Sequence, residues 1–391
     1  MPGNELIGKE ELKSIKEIFT RSGGVLFAHG FEERRNNIFR VRELEKKAAY
    51  YFQSKHCVAT SSGTTALYSA LKALNIGPGD EVITQAYTFV ATVEAILATG
   101  ANPIIANIDK TLNICPKHME NLITKKTKCI IPVHMQGNPA RMDEIIKISN
   151  KYKISIIEDS CQAIGAKYKG RHCGTIGNLG TFSLDFGKAI TGGEGGFIFT
   201  NNIKHYKYTK AFTDHGHDNN PKLPRGKDTS KMWGMNFRMT ELQAAVLDAQ
   251  LKKLDFILER NRRNKKFLKD ILQKNISNLI EFREITDAEE LADGVIFYLP
   301  NKKITKKVMH DLYNKGVSFK NVPDAMRWHC TSFWSQIWKD SKKYKYSYKT
   351  EWNNTLNLLE RTLSFSINVL HTKTDLKILS DKIIKSVIKY S

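Results

Sequence analysis

The sequence predicts an α/β fold with a mainly parallel central sheet and a smaller α+β domain at its C-terminal end. Three observations carry that expectation. Short apolar runs bounded by Gly, Pro or Asp alternate with helical patterns through the first 200 residues. A long helical stretch follows, and beyond it the alternation becomes less regular. The chain has 391 residues, more than one small core needs, so two domains are expected, a large one over 1–255 and a small one over 256–391.

The elements follow in order. Helical spacing predicts a helix from Lys9 to Phe19 and another from Arg42 to Phe52. Val58 to Thr60 reads as a strand, Thr64 to Leu74 as a helix and Glu81 to Thr84 as a strand. Phe89 to Ala98 reads as a helix closed by Gly100. Strands are expected at Pro103 to Ala106, Cys129 to Val133 and Ile154 to Ile157, with helices at Pro116 to Ile123 and Met142 to Tyr152 between them. Strand-like runs Thr181 to Ser183 and Phe197 to Thr200 flank a glycine-rich stretch. A polar loop from Asp214 to Ser230 precedes one long helix from Met239 to about Leu272. Strands at Gly294 to Leu299 and Val317 to Phe319, and helices at Lys306 to Lys315 and Asp375 to Ile388, complete the small domain.

Composition narrows the function classes. Hydrophobic residues make up 41% and charged residues 26%, near the averages for folded soluble chains, and no repeat period is visible. The 61 Lys+Arg outnumber the 40 Asp+Glu, for a net +21 that would attract an anion. The lysines are scattered and no basic helix is interleaved with base-stacking aromatics, so an anionic small molecule is favoured over nucleic acid. The most apolar stretch, Phe89 to Ile108, is interrupted by Glu94, Gly100, Asn102 and Pro103 and cannot cross a bilayer. Six cysteines without Cys-x-x-Cys spacing or a secretory leader point to reduced thiols in the cytoplasm and to no metal site.

Four stretches carry chemistry. Lys188 lies among five glycines (187, 192, 193, 195 and 196) between two strand-like runs, where the backbone can approach a flat ligand. A buried amine there suits a Schiff base with an aldehyde cofactor. A loop lysine in solvent is the bland alternative. Ser61 to Thr65 falls between a strand and a helix, which puts Gly63 and Thr64 at a helix N-terminus able to seat a phosphate. A plain Ser/Thr cap is the simpler reading of that stretch alone. Asp159 ends a buried strand, where it can hold a pyridine nitrogen protonated, and Gln162 can donate to a phenolate oxygen. Phe89 follows the strand Glu81 to Thr84 and can stack on a heteroaromatic ring. Phosphate seat, ring stack, pyridine partner and Schiff-base lysine are together what a pyridoxal 5'-phosphate enzyme requires.

With these residues in place, the chain resembles the DegT/DnrJ/EryC/StrS family of sugar aminotransferases. The likeness runs from Ile7 to Leu12 through Ser62 to Leu67, Pro78 to Val82, Thr88 to Thr92, Glu158 to Ala163, Gly192 to Gly196 and Asn236 to Met239, and ends at Arg361 to Phe365. The resemblance implies the fold type I aminotransferase architecture and a homodimer with active sites shared at the interface. It further implies Lys188 as the cofactor-bearing lysine, phosphate contacts from Gly63, Thr64 and Ser183, and stacking by Phe89. Asp159 and Gln162 take the roles already argued, and Asn236 reaches the neighbouring subunit's phosphate. Glutamate is the implied donor and a keto- or aldehydo-sugar the implied acceptor. The stretch Asp214 to Pro221 with Arg225, Asp228 and Thr229, and His29 to Phe31, is similar to the branch that makes 8-amino-3,8-dideoxy-octulosonate (8-amino-Kdo) for lipopolysaccharide. Within it His215, His217 and Arg225 are candidate sugar-binding groups, an arginine fork being suited to a carboxylate. Gly226 and Lys227 depart from that branch, in which Trp-Glu is expected. Nucleotide-linked 4-keto-6-deoxy sugars are the alternative acceptors, and a catalytically silent relative is the remoter one.

Overall fold

The computed structural model describes residues 3–218, 223, 227, 232–285, 287–340 and 351–391. The strands of the first 200 residues are β1 (His56–Thr60), β2 (Glu81–Gln85), β3 (Asn102–Ala106), β4 (Thr127–Ile130), β5 (Ser155–Asp159), the short β6 (Lys167–Tyr168) and β7 (Arg171–His172), β8 (Leu179–Ser183) and β9 (Gly196–Thr200). Seven of them form one sheet in the order β1-β9-β8-β5-β4-β2-β3. Strands β3, β2, β4, β5 and β8 pair in parallel. Only β9 runs against its neighbours β8 and β1, so the sheet is mainly parallel as expected. The carboxyl ends of β1, β5 and β8 and the start of β9 therefore meet at one edge, where ligands of open α/β sheets bind.

Strand alternation explains how the sheet is covered on both faces. Val82 and Ile157 pack with Ala66, Leu67 and Ala70 of the helix Gly63–Ala73. Their neighbours Ile83 and Ile156 point the other way, onto Met142, Ile145 and Ile148 of the helix Met142–Tyr152. At the β8–β9 end, Phe182, Phe197 and Phe199 pack with Leu44, Ala48, Leu247 and Leu254.

A second core lies on the C-terminal sheet, made of β10 (Glu281–Phe282), β12 (Gly294–Tyr298) and β13 (Thr362–Ser366) in antiparallel pairing. Helices Leu254–Ile276, Lys302–Asn314 and Lys373–Tyr390 cover it through Leu268, Leu272, Val308, Leu312, Ile383 and Val387. The two-residue β11 (Ala288–Glu289) instead pairs with β6. The segment around Trp328 reaches back to the main sheet edge, where Thr88 N–H donates to His329 O at 2.8 Å and Val90 N–H to Trp328 O at 3.1 Å. No helix among the described residues is long and apolar enough to cross a membrane.

Three sequence expectations are corrected. The single helix from Met239 to Leu272 is two, Glu241–Leu251 and Leu254–Ile276, because at the junction Lys253 N–H turns to Gln250 O three residues back (3.0 Å) and tightens the chain. Val317 to Phe319 is not a strand. Its backbone does not pair with β13; the residues just after it bond there through Lys320 N–H to Ser364 O and Ser364 N–H to Val322 O, and Asn321 between them has φ 60°, which breaks an extended ladder. The strand expected over Cys129 to Val133 stops at Ile130, since Pro132 has no N–H to continue it, and Val133 meets Asp159 in an isolated bridge.

Candidate active site

Seven of the eleven residues singled out in the sequence, Gly63, Thr64, Phe89, Asp159, Gln162, Ser183 and Lys188, line one cavity of about 360 Å³ at the sheet edge. Ser62 is the N-cap of the helix Gly63–Ala73, its hydroxyl accepting from Thr65 N–H at 3.1 Å while Thr65 Oγ1 accepts from Ser62 N–H at 3.0 Å. The cap thus satisfies the third helical position. Both readings of this stretch hold together, because the first two amides, of Gly63 and Thr64, have no intrahelical partner and remain for an anion at the positive end of the helix. Gly63 has to be glycine: a Cβ there would stand 2.7 Å from Ser183 Cβ and 3.0 Å from Cys161 Sγ. The same closeness holds at Gly196, where a Cβ would come within 2.3 Å of Ser62 O.

Consecutive acids at the end of β5 have opposite tasks because they face opposite sides of the strand. Glu158 is fully buried and accepts from the backbone N–H of Gly174, Ile176 and Gly177 at 2.6–2.9 Å, with His134 Nε2 at 3.0 Å. His134, Glu158 and Cys173 cluster closely enough to suggest a metal. Ala140 N–H donates to His134 Nδ1 at 3.0 Å, however, so the ligand atoms of both His134 and Glu158 are already engaged by the protein. Asp159 faces the cavity instead. Its Oδ1 accepts from Cys161 N–H at 3.1 Å and its Oδ2 from Thr92 Oγ1 at 2.8 Å. The first of these bonds is a tight turn, since no helix follows for Asp159 to cap. Gln162 is buried, and its Oε1 accepts from Gln136 N–H at 3.2 Å, which leaves its amide hydrogens for the cavity.

Lys188 sits in the turn between β8 and β9, and its side chain is only 12% exposed. It is no solvent lysine. Its Nζ lies 3.4 Å from Asp185 Oδ2, which also accepts from Ser183 Oγ at 3.1 Å. The Cys161 thiol shares the cavity, but burial pushes its pKa well above the usual range, so it stays protonated and Lys188 has no competing thiolate nucleophile. Phe89 is 42% exposed and therefore not core; its ring is nearly parallel to Trp328 (6.4 Å, 15°) and 5.5 Å from His329. Burial pushes His329 down to about 4, so it is neutral at physiological pH and its Nδ1–H donates to Ala325 O at 2.9 Å.

Sequence reasoning missed Asp185, Thr88 and Thr92. The first is a polar residue three before the lysine and the other two lie a helical turn apart, signals too common to stand out before the fold brings them together. The remaining four predicted residues are elsewhere. His215 and His217 lie at the 214–218 turn, His215 exposed and His217 half-buried, and Asn236 is exposed on a facing segment, none of them lining the cavity of its own chain. Arg225, like Asp228 and Thr229, lies outside the described residues. Asp214 pairs with His29 Nε2 at 3.0 Å and with Arg238, so the two stretches on which the octulosonate likeness rested touch. The residues present fit pyridoxal phosphate: paired amides for a phosphate, an aromatic wall, a carboxylate opposite, and an amine.

Comparison with known proteins agrees. The sequence pattern of the DegT/DnrJ/EryC1/StrS aminotransferase family matches residues 36–383. GDP-perosamine synthase from Caulobacter vibrioides is 39% identical over 216 residues, 55% of this chain and 57% of that protein. The chain thus spans under two thirds of that relative's length. Spore coat polysaccharide biosynthesis protein SpsC from Bacillus subtilis is 32% identical over 374 residues, 93% of this chain and 90% of that one. Among solved structures, an aminotransferase from Psychrobacter cryohalolentis superposes with a TM-score of 0.86 at 25% identity, covering 98% of this chain and 96% of the other. The fold is that of the fold type I aminotransferases.

The Gly63 contact yields a test. Gly63→Ala is expected to leave the folded chain intact but weaken pyridoxal phosphate binding by roughly 10-fold or more, because the helix start must back away from Ser183. Titration of the apoprotein followed by absorbance measures it; unchanged affinity would refute the close-approach account.

Proposed function

Because the chain belongs to the DegT/DnrJ/EryC1/StrS aminotransferase family, we propose that it is a pyridoxal phosphate-dependent sugar aminotransferase, moving the amino group of an amino acid, glutamate first, to a keto- or aldehydo-sugar. The observation that carries this reading is the sharing of one cavity by Lys188, Asp159 and the free amides of Gly63 and Thr64. When bound, pyridoxal phosphate supplies an electron sink for the carbanion formed as the amine-bearing carbon loses its proton. The protein's residues do the rest. The Gly63 and Thr64 amides would hold the phosphate, joined by Ser183 Oγ once its hydroxyl turns from Asp185 Oδ2, Phe89 would support one ring face, and Asp159 would accept the ring nitrogen's hydrogen bond. Gln162 donates from its amide to the ring hydroxyl oxygen. Lys188 Nζ would hold the cofactor, and it is the amine placed to take the proton from the donor's carbon and return one to the acceptor's.

For the acceptor, the reading is the C8 aldehyde of a 3-deoxy-octulosonate, supported by the His29–Asp214 pair that joins the two stretches resembling that branch. His215 and Arg225 are its proposed sugar contacts. A nucleotide-linked keto sugar is the second reading, favoured by the relatives named GDP-perosamine synthase. The protein is further proposed to act as a homodimer. Asn236 is exposed beside exposed Trp233 and Met235, as a residue acting in a neighbour's site would be.

Borohydride reduction of the loaded protein is expected to leave the cofactor's mass on the Lys188 peptide, and Lys188→Ala to lose turnover. With glutamate and a panel of keto- and aldehydo-sugars, mass analysis should find the octulosonate aldehyde aminated. A label on another lysine would overturn the site, while amination of nucleotide-linked sugars alone would establish the second acceptor.

Shared sites can be tested separately. Co-folded Lys188→Ala and Asn236→Asp subunits, each inactive alone, should regain activity in mixed dimers, since one of the two sites then carries neither lesion. Verified mixed dimers without recovery would refute a role for Asn236 across the interface.

A further inference from the structure

Behind Asp159 lies a chain of hydroxyls. Thr92, in the first turn of the helix Ala91–Ala98, places its Oγ1 at 2.8 Å from Asp159 Oδ2, and Thr88 Oγ1 lies 2.7 Å from Thr92 Oγ1. Both threonines are buried, at 0% and 1% exposure. An ionised carboxylate only accepts, so the Thr92 hydroxyl must donate to Asp159. The Thr92 oxygen is then left to accept from Thr88 at 2.7 Å, the shorter of the two contacts open to the Thr88 hydroxyl, the other being Phe89 O at 3.3 Å. Cys161 N–H holds the other carboxylate oxygen at 3.1 Å. With Thr92 on one oxygen and Cys161 bonding the carboxylate through both its N–H and its side chain, the group is held against rotation at the cavity wall. Thr88 is in turn anchored through its N–H to His329 O, on the segment that also carries Trp328.

We propose that Thr92, backed by Thr88, is a positioning residue that fixes the plane of the Asp159 carboxylate toward the cofactor's ring nitrogen. The inference rests on the functional reading above and adds to it the group that orients its key acid. Without the Thr92 bond, Asp159 is held by Cys161 alone and can swing off the ring nitrogen.

Thr92→Val keeps the shape of the side chain and removes only the hydroxyl, while Thr92→Ser keeps the hydroxyl. The test compares them with the wild type in the full chain loaded with pyridoxal phosphate labelled with nitrogen-15 in the ring. Two quantities are read: the nitrogen-15 resonance, and the single-turnover rate with glutamate. Thr92→Val is expected to shift the resonance toward that of an unprotonated pyridine and to slow the half-reaction about 10-fold or more, with Thr92→Ser restoring both. Thr88→Val, which leaves the Thr92 hydroxyl unanchored, should move both in the same direction by less, and it carries the test if Thr92→Val does not fold. A loaded valine variant with wild-type resonance and rate would overturn the inference alone. A wild-type chain that takes up no pyridoxal phosphate would overturn the functional reading and the inference with it.

Discussion

The close approach of a helix start to the end of β8 is the contact on which the rest of the site depends. Gly63 lies so near Ser183 and Cys161 that no side chain fits, and Gly196 lies equally near the Ser62 carbonyl. These two glycines let β1, β8 and β9 converge with their ends level, so that two free amides, a hydroxyl and the turn bearing Lys188 surround one space. Any spreading of that junction would separate the anion seat from the amine. A cofactor with a phosphate at one end and an aldehyde on its ring has to reach both.

On the other side of that space, the end of β5 separates support from chemistry. The strand's two-residue period sends Glu158 into a closed set of backbone amides beside His134, and Asp159 into the cavity beside Thr92. Glu158 holds the turn Gly174–Gly177 against the strand, so the acid next to it is carried on a rigid frame. The segment from Ala325 to Cys330 closes the third side by bonding to Thr88 and Val90, which ties the C-terminal core to the aromatic wall at Phe89.

Much of this was legible in the sequence, for reasons that particular residues make plain. Local signals, such as apolar period, glycine at strand ends and a hydroxyl before a helix, found the strands and helices of the large sheet and the residues that line its edge. The kink at Lys253, the lost strand at Val317 to Phe319 and the early end of β4 depend on single backbone conformations or on a missing N–H, which periodicity does not register. Thr92, Asp185 and the clamp by His329 were invisible for another reason: each acts through a partner distant in sequence, and its residue type is unremarkable until the fold supplies that partner. Asn236 was legible only through likeness to relatives, and it lies exposed, outside the cavity of its own chain.

The central claim is that one cavity holds the amine between two substrates, and following the nitrogen tests it most directly. The loaded protein is incubated with nitrogen-15 glutamate in the absence of any sugar and then freed of small molecules. The account predicts one equivalent of 2-oxoglutarate released and one labelled nitrogen retained per chain, the label leaving only when a keto- or aldehydo-sugar is added. No retained nitrogen, or the same retention by Lys188→Ala, would contradict it.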